Sequence, residues 1–204
     1  MRETGAKGRR KSAPTKGDLR ERAILDAAEH QLGAAGPDSM TVEMIASAAG
    51  ISRAAFYFYF ASKNDVLAAL VERTVSVLRA DIDAADAVGP PPEALRRGVE
   101  RTARMWREHG SVMRAAVELA PTVPAIGEQW RAAVAAIADI TRRIAERAGL
   151  PADDSPIGAR AITTTLTWMT ERSFYETSRT SGSLEATAET LTHLWLTAIR
   201  GSGR

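Results

Sequence analysis

Few residues in this 204-residue chain are of a type and spacing that could make or break bonds. Its three histidines, His30, His109 and His193, lie far apart, with no His-x-x-x-His pair among them. Cysteine is absent, which removes thiolate metal sites, thiol nucleophiles and a disulfide scaffold, and fits a reducing compartment. Asp81-x-Asp83 and Asp153-Asp154 could each offer two carboxylates to a divalent cation. The first pair, however, falls on an exposed-looking helix face, and the second in a loop ahead of Ser155. No Gly-x-Ser-x-Gly, P-loop or dinucleotide fingerprint occurs. An enzyme, a bound metal and a cofactor are therefore not expected. The remaining chemistry is non-covalent recognition, and its residues concentrate between Thr41 and Lys63.

That stretch, TVEMIASAAGISRAAFYFYFASK, reads as two short helices joined by a tight turn. Thr41 is a candidate N-cap for a segment whose apolar residues Val42, Ile45, Ala46, Ala48 and Ala49 recur at helical spacing. Gly50 supplies the left-handed backbone that ends a helix at little steric cost. Ser52 is a second N-cap, opening about two turns over Arg53 to Phe58. Helix, glycine turn and helix is the layout that lets a second helix enter a DNA major groove. Ile45, Ile51, Phe56 and Phe60 are expected to form the core of such a unit. A tyrosine at 57 or 59 can pack its ring while its hydroxyl reaches a phosphate.

The pattern A-x-x-A-G-I-S-x-x-x-F-Y-x-Y-F-x-S-K, from Ala46 to Lys63, resembles the DNA-binding signature of the TetR family of bacterial repressors. The resemblance implies an all-α fold of about nine helices, with an N-terminal three-helix reading head and a C-terminal ligand-binding and dimerisation domain. It implies that the helix after Ser52 is the recognition helix. Thr41, Ser52, Tyr57, Tyr59 and Lys63 would touch phosphates or groove edges of a double-stranded DNA operator. Arg53, Ala54 and Ala55 stand where base readout is expected. Many members carry Gly or Lys in place of Ala54 and His in place of Tyr59, so the target sequence does not carry over.

Charge distribution adds a flanking element. Residues 1–17 contain Arg2, Lys7, Arg9, Arg10, Lys11 and Lys16 against the single acid Glu3, with Gly5, Gly8, Pro14 and Gly17 interspersed. Such an arm is expected to be disordered when free and to track phosphates electrostatically, or to serve only as a solubilising tail. It lacks the apolar run of a signal peptide, and no window approaches the length of a membrane span, so a cytoplasmic protein is expected. The divisions expected are an arm over 1–17, a helix-turn-helix domain over 18–63 and a ligand-binding and dimerisation domain over 64–204.

Helices must position these residues. Asp18 to Ala35 carries one apolar stripe and is stopped by Gly36-Pro37. From Ser62 to about Asp86 a rod of roughly 37 Å runs out of the reading head, ended by Gly89-Pro90-Pro91-Pro92. Further helices are predicted over Glu93–His109, Ser111–Leu119, Thr122–Ala148, Ser155–Thr180 and Ser183–Arg200, with no strand pattern. The last two present more apolar surface than one core needs, through Ala161, Ile162, Leu166, Met169, Leu191 and Leu194. They are the expected homodimer interface, as the resemblance also implies.

Trp106, Trp130, Trp168 and Trp195 all fall in the C-terminal part, on four different helices. Met105, Phe174 and Tyr175 add soft or aromatic surface, and Thr167, Thr170 and Glu171 add polar groups. These ten residues describe either a small-molecule site or a core filled by large side chains. The segments Met169-Thr170-Glu171-Arg172 and Leu194-Trp195-Leu196-Thr197 resemble a mycobacterial branch of the same family that has a long, mainly apolar ligand channel. Thr167 and Thr170 stand where that branch carries Asn, and a hydroxyl cannot reproduce an amide's bonding. A small apolar effector is thus expected without its identity. The function expected is a DNA-binding repressor released by such a ligand. The alternatives are a same-fold activator or a regulator without a ligand and, more remotely, a helical enzyme.

Overall fold

A computed structural model of the chain describes residues 15–86, 89–180 and 182–200. Among these it has nine helices and no strand, the all-α architecture expected. The basic arm as far as Pro14 lies outside the described residues. The first helix, α1 (Lys16–Ser39), starts two residues before the expected Asp18. Thr15 is its N-cap in a closed capping box: the Asp18 amide donates to the Thr15 hydroxyl at 3.1 Å and the Thr15 amide to the Asp18 carboxylate at 2.8 Å. Lys16 and Gly17 therefore belong to the helix and not to the arm. Gly36, at φ 74°, interrupts α1 where the Gly-Pro pair predicted its end, and Pro37 to Ser39 add one more turn.

Helices α2 (Val42–Ala48) and α3 (Arg53–Tyr59) follow the predicted boundaries. The turn between them is a Schellman closure. Gly50, at φ 65°, donates to Ser47 O at 3.1 Å and Ile51 to Ala46 O at 3.0 Å. Ile24, Met40, Ile45 and Phe56 are almost wholly buried, and Phe60 nearly so, and they join α1, α2 and α3. Burying a side chain such as Phe56 is worth about 1.5–3 kcal/mol. Ile51, expected in the core, is only partly buried against it.

The rod α4 (Lys63–Asp86) starts where the Ser62 hydroxyl accepts from the Asp65 amide at 3.2 Å. It packs on α1 at one end and, along its length, on α5 (Pro91–Glu108), α6 (Gly110–Leu119) and α7 (Pro124–Arg147). Reading head and C-terminal helices thus share one continuous apolar core. Pro91 opens α5 two residues before the expected Glu93, because proline's missing N–H costs nothing in a first turn, and Pro124 opens α7 two residues after the expected Thr122. Helix α8 (Ala159–Arg179) starts four residues later than predicted. Asp153 accepts from the Ser155 amide at 3.1 Å and Gly158 donates to Ser155 O at 2.9 Å, so this segment turns locally before Gly158 caps α8. Helix α9 (Leu184–Arg200) packs on α5 and α8. Among the described residues no helix is long and apolar enough to cross a membrane.

Candidate nucleic-acid interface and effector cavity

Helix α3 turns Phe56 inward at 0% exposure and presents Arg53, Ala54, Tyr57 and Phe58 outward. Ala55 and Tyr59 are half-buried at the sides. The Thr41 hydroxyl accepts from the Met44 amide at 3.2 Å and the Ser52 hydroxyl from the Ala55 amide at 3.1 Å. Both are spent as acceptors in capping, which leaves the O–H free to donate to a phosphate. Lys63 is half-buried and donates to Pro37 O at 2.8 Å, tying the start of α4 to the end of α1. Two of its ammonium protons remain available.

Arg53 is held on two sides. It donates to the Glu43 carboxylate of α2 and, at 3.3 Å, to the Tyr57 hydroxyl, and its guanidinium lies 5.7 Å from the centre of the Tyr57 ring. The bond to Tyr57, and then the Glu43 charge, push its pKa further above an already high range, so it is permanently cationic. Sequence reasoning passed over Glu43 and Phe58. Phe58 is 83% exposed, and its signal was helical spacing: it lies four residues after Ala54.

The reading head is tied to the C-terminal helices at Glu29. Arg73 of α4 donates to Asp26 at 2.6 Å and to Glu29 at 2.8 Å, and the other Glu29 oxygen meets His109 Nδ1 at the α5–α6 junction.

Within the C-terminal helices two small cavities adjoin, of about 30 Å³ and about 50 Å³, sharing Thr102, Ile137, Thr167 and Thr170 in their walls. Of the ten candidate ligand residues, Trp106, Trp130, Thr167, Thr170, Glu171 and Trp195 line one or both. Trp195 Nε1 donates to the Thr170 hydroxyl at 2.9 Å, while the buried Thr167 Oγ1 has no partner. Burial raises the Glu171 pKa, offset in part by Arg172 and the Trp130 indole. Met105, Phe174 and Tyr175 are buried without lining either cavity; Phe174 stacks on Trp106 with ring centres 6.5 Å apart. Trp168 departs from expectation. It is 41% exposed on the outer face of α8, because α8 carries large apolar residues on both sides. With the equally exposed Leu194 and the half-buried Ile162, Leu166 and Met169 it forms an apolar outer surface on α8 and α9.

Residues 24–70 match the family model of bacterial regulatory proteins of the tetR family, and residues 95–201 that of the C-terminal domain of the transcriptional regulator EthR. The chain is 34% identical to the HTH-type transcriptional regulator EthR of Mycolicibacterium smegmatis over 96% of its own length and 93% of that protein's. It is 32% identical to EthR of Mycobacterium tuberculosis over 97% and 94%. In fold it is similar to a tetR-family regulator from Streptomyces coelicolor, with a TM-score of 0.74 and 19% identity over 91% of this chain and 82% of that one. The fatty acid degradation regulator FadR from Bacillus halodurans gives a TM-score of 0.74 at 18% identity over 92% and 97%. The capped two-helix head and the helical domain behind it are therefore those of a TetR-family helix-turn-helix transcriptional regulator with an EthR-type C-terminal domain, and the chain belongs to that family.

Proposed function

We propose that this regulator is a repressor that binds a palindromic operator as a homodimer and is released by a small, mainly apolar molecule. The observation that carries the DNA half is the division of α3, which buries Phe56 and presents Arg53, Ala54 and Tyr57 on one open face. In this reading Arg53, Ala54 and Ala55 face base edges, and Thr41, Ser52, Tyr57, Tyr59 and Lys63 face phosphates or groove edges. The basic arm ahead of Thr15 follows the backbone beside them. The reading head covers the expected 18–63, extended at its start to the Thr15 cap of α1, and the effector and dimerisation domain 64–204. The apolar outer surface of α8 and α9 supports pairing through those helices, which sets two heads one helical turn of DNA apart, about 34–36 Å, or a multiple of it. Its place of action is the cytoplasm, with the chromosome.

Release follows from linkage. Cavities of about 30 and 50 Å³ are closed compared with the roughly 300–1,000 Å³ of a drug-sized site. An effector must therefore part α5, α7 and α8, and α4 packs against α5 and α7. Displacing the rod tilts α3 in each protomer, and DNA affinity falls by the ratio of effector affinities for the two states. The same small volumes favour a second reading, a regulator of this fold with no small-molecule effector.

Fluorescence anisotropy on DNA from upstream of the protein's own gene, with excess random competitor at two salt concentrations, tests the first half. Specific binding that Tyr57→Ala abolishes supports the assigned head; binding that resists the substitution and disappears into competitor assigns it to the basic arm alone. Titrating the bound complex with apolar compounds of graded length separates the two effector readings. Release by at least one length supports the first, and indifference across the series the second.

A further inference from the structure

We infer that Ala54 and Phe58 together form an apolar reading edge for the C5-methyl groups of thymines in the operator half-site. The inference rests on the DNA-binding reading above and specifies what that head reads. Phe58 is 83% exposed, the highest value among the exposed large apolar side chains described, and its ring meets Tyr59 edge-on, with ring centres 5.3 Å apart. It contributes little to the core beneath, which Phe56 and Phe60 fill from the opposite side of α3. Ala54, four residues earlier, is exposed on the same face. An exposed large apolar group on a helix that enters DNA has one apolar counterpart in the major groove, the thymine methyl.

The neighbours of this edge are matched to the same occupant. Arg53 is cationic and Tyr57 offers a hydroxyl, and both stand on the exposed face beside Ala54 and Phe58. A face with an apolar centre and donors beside it fits a methyl-bearing base step flanked by phosphates better than an apolar protein surface.

The test begins with selection from random-sequence duplex DNA by the full-length wild-type protein. Each fixed thymine of the selected half-site is then replaced singly by deoxyuridine, which removes the methyl group and leaves the Watson–Crick and groove hydrogen-bonding groups unchanged. Loss of one buried methyl predicts about fourfold weaker wild-type binding at one or two of these positions. Phe58→Ala should bind the unmodified site more weakly and be indifferent to deoxyuridine at the position Phe58 covers. Phe58→Leu should recover part of both affinity and methyl sensitivity. Far-UV circular dichroism checks that the variants fold, and the wild-type substitution series stands without them. Wild-type binding unaffected by deoxyuridine at every fixed thymine overturns the inference and leaves the DNA-binding reading intact. A methyl penalty that Phe58→Ala retains in full also overturns it. A wild-type protein that selects no sequence sinks both.

Discussion

Replacing Thr167 and Thr170 by valine, one at a time, should move stability in opposite directions. The two residues share a helix, line the same pair of cavities and are similarly buried, so the swaps are chemically alike. Their hydroxyls differ in one respect: Thr170 Oγ1 accepts from Trp195 Nε1 at 2.9 Å, and Thr167 Oγ1 has no partner. A buried hydroxyl without a bond costs about 1–3 kcal/mol on mutational evidence, so Thr167→Val relieves a penalty of that order. Thr170→Val leaves a buried indole N–H unpaired and costs about 1–3 kcal/mol. For a chain of this length each kcal/mol shifts the midpoint by about 2–4 °C. Thermal unfolding followed by circular dichroism, at one fixed protein concentration because the proposed dimer would melt concentration-dependently, separates the pair. Tm should rise for Thr167→Val and fall for Thr170→Val. A fall for both would mean that water or a rotamer change satisfies the Thr167 hydroxyl in solution and would refute the penalty assigned to it.

If the chain pairs through α8 and α9 as proposed, Trp168→Glu should weaken that association by at least about thirtyfold, the effect of one 2 kcal/mol hot spot, without loss of helicity. Sedimentation equilibrium that gives the wild-type association constant for the variant would remove α8 from the interface. Glu171→Gln should stabilise the protein at neutral pH and lose that advantage in acid. Burial raises the carboxyl pKa in the folded state, so folding takes up a proton as pH falls, and the charged form is a penalty present above the folded-state pKa. The penalty fades as pH drops towards the ordinary glutamate value of about 4.3, where wild type and variant should converge. Chemical denaturation of both proteins from pH 4 to 8 reads this directly; a constant difference across the range would place Glu171 in water.

The reading head was legible because its determinants are local. Thr41 and Ser52 cap helices a few residues downstream, Gly50 supplies a left-handed turn, and Phe56 repeats at helical spacing with Phe60. Each interaction closes within about five residues, so the order of residues carries it. Helix starts were less legible where proline was read only as a breaker. At Pro91 the same lack of an N–H suits a first helical turn. Helical spacing sets Phe58 opposite Phe56, but spacing along one helix does not say that an outward ring is left uncovered by the rest of the fold, which is why Phe58 was passed over.

By itself, then, the chain order determined the family motif, the helical class, the long α4 rod and the caps of the head, all of which depend on short-range backbone bonding and on one clear apolar stripe. Tertiary packing alone decided the rest. Helix α8 runs Ile-Thr-Thr-Thr-Leu-Thr-Trp-Met-Thr from Ile162 to Thr170, with large apolar groups on more than one side, so its period does not say that Thr167 faces the cavities and Trp168 faces outward. The bonds from Arg73 to Asp26 and Glu29, and from Glu29 to His109, join side chains 44 to 80 residues apart. The size of the cavities is likewise the small difference between large packed volumes. Such features depend on where three or more helices come to rest against one another, and no spacing along a single helix encodes that.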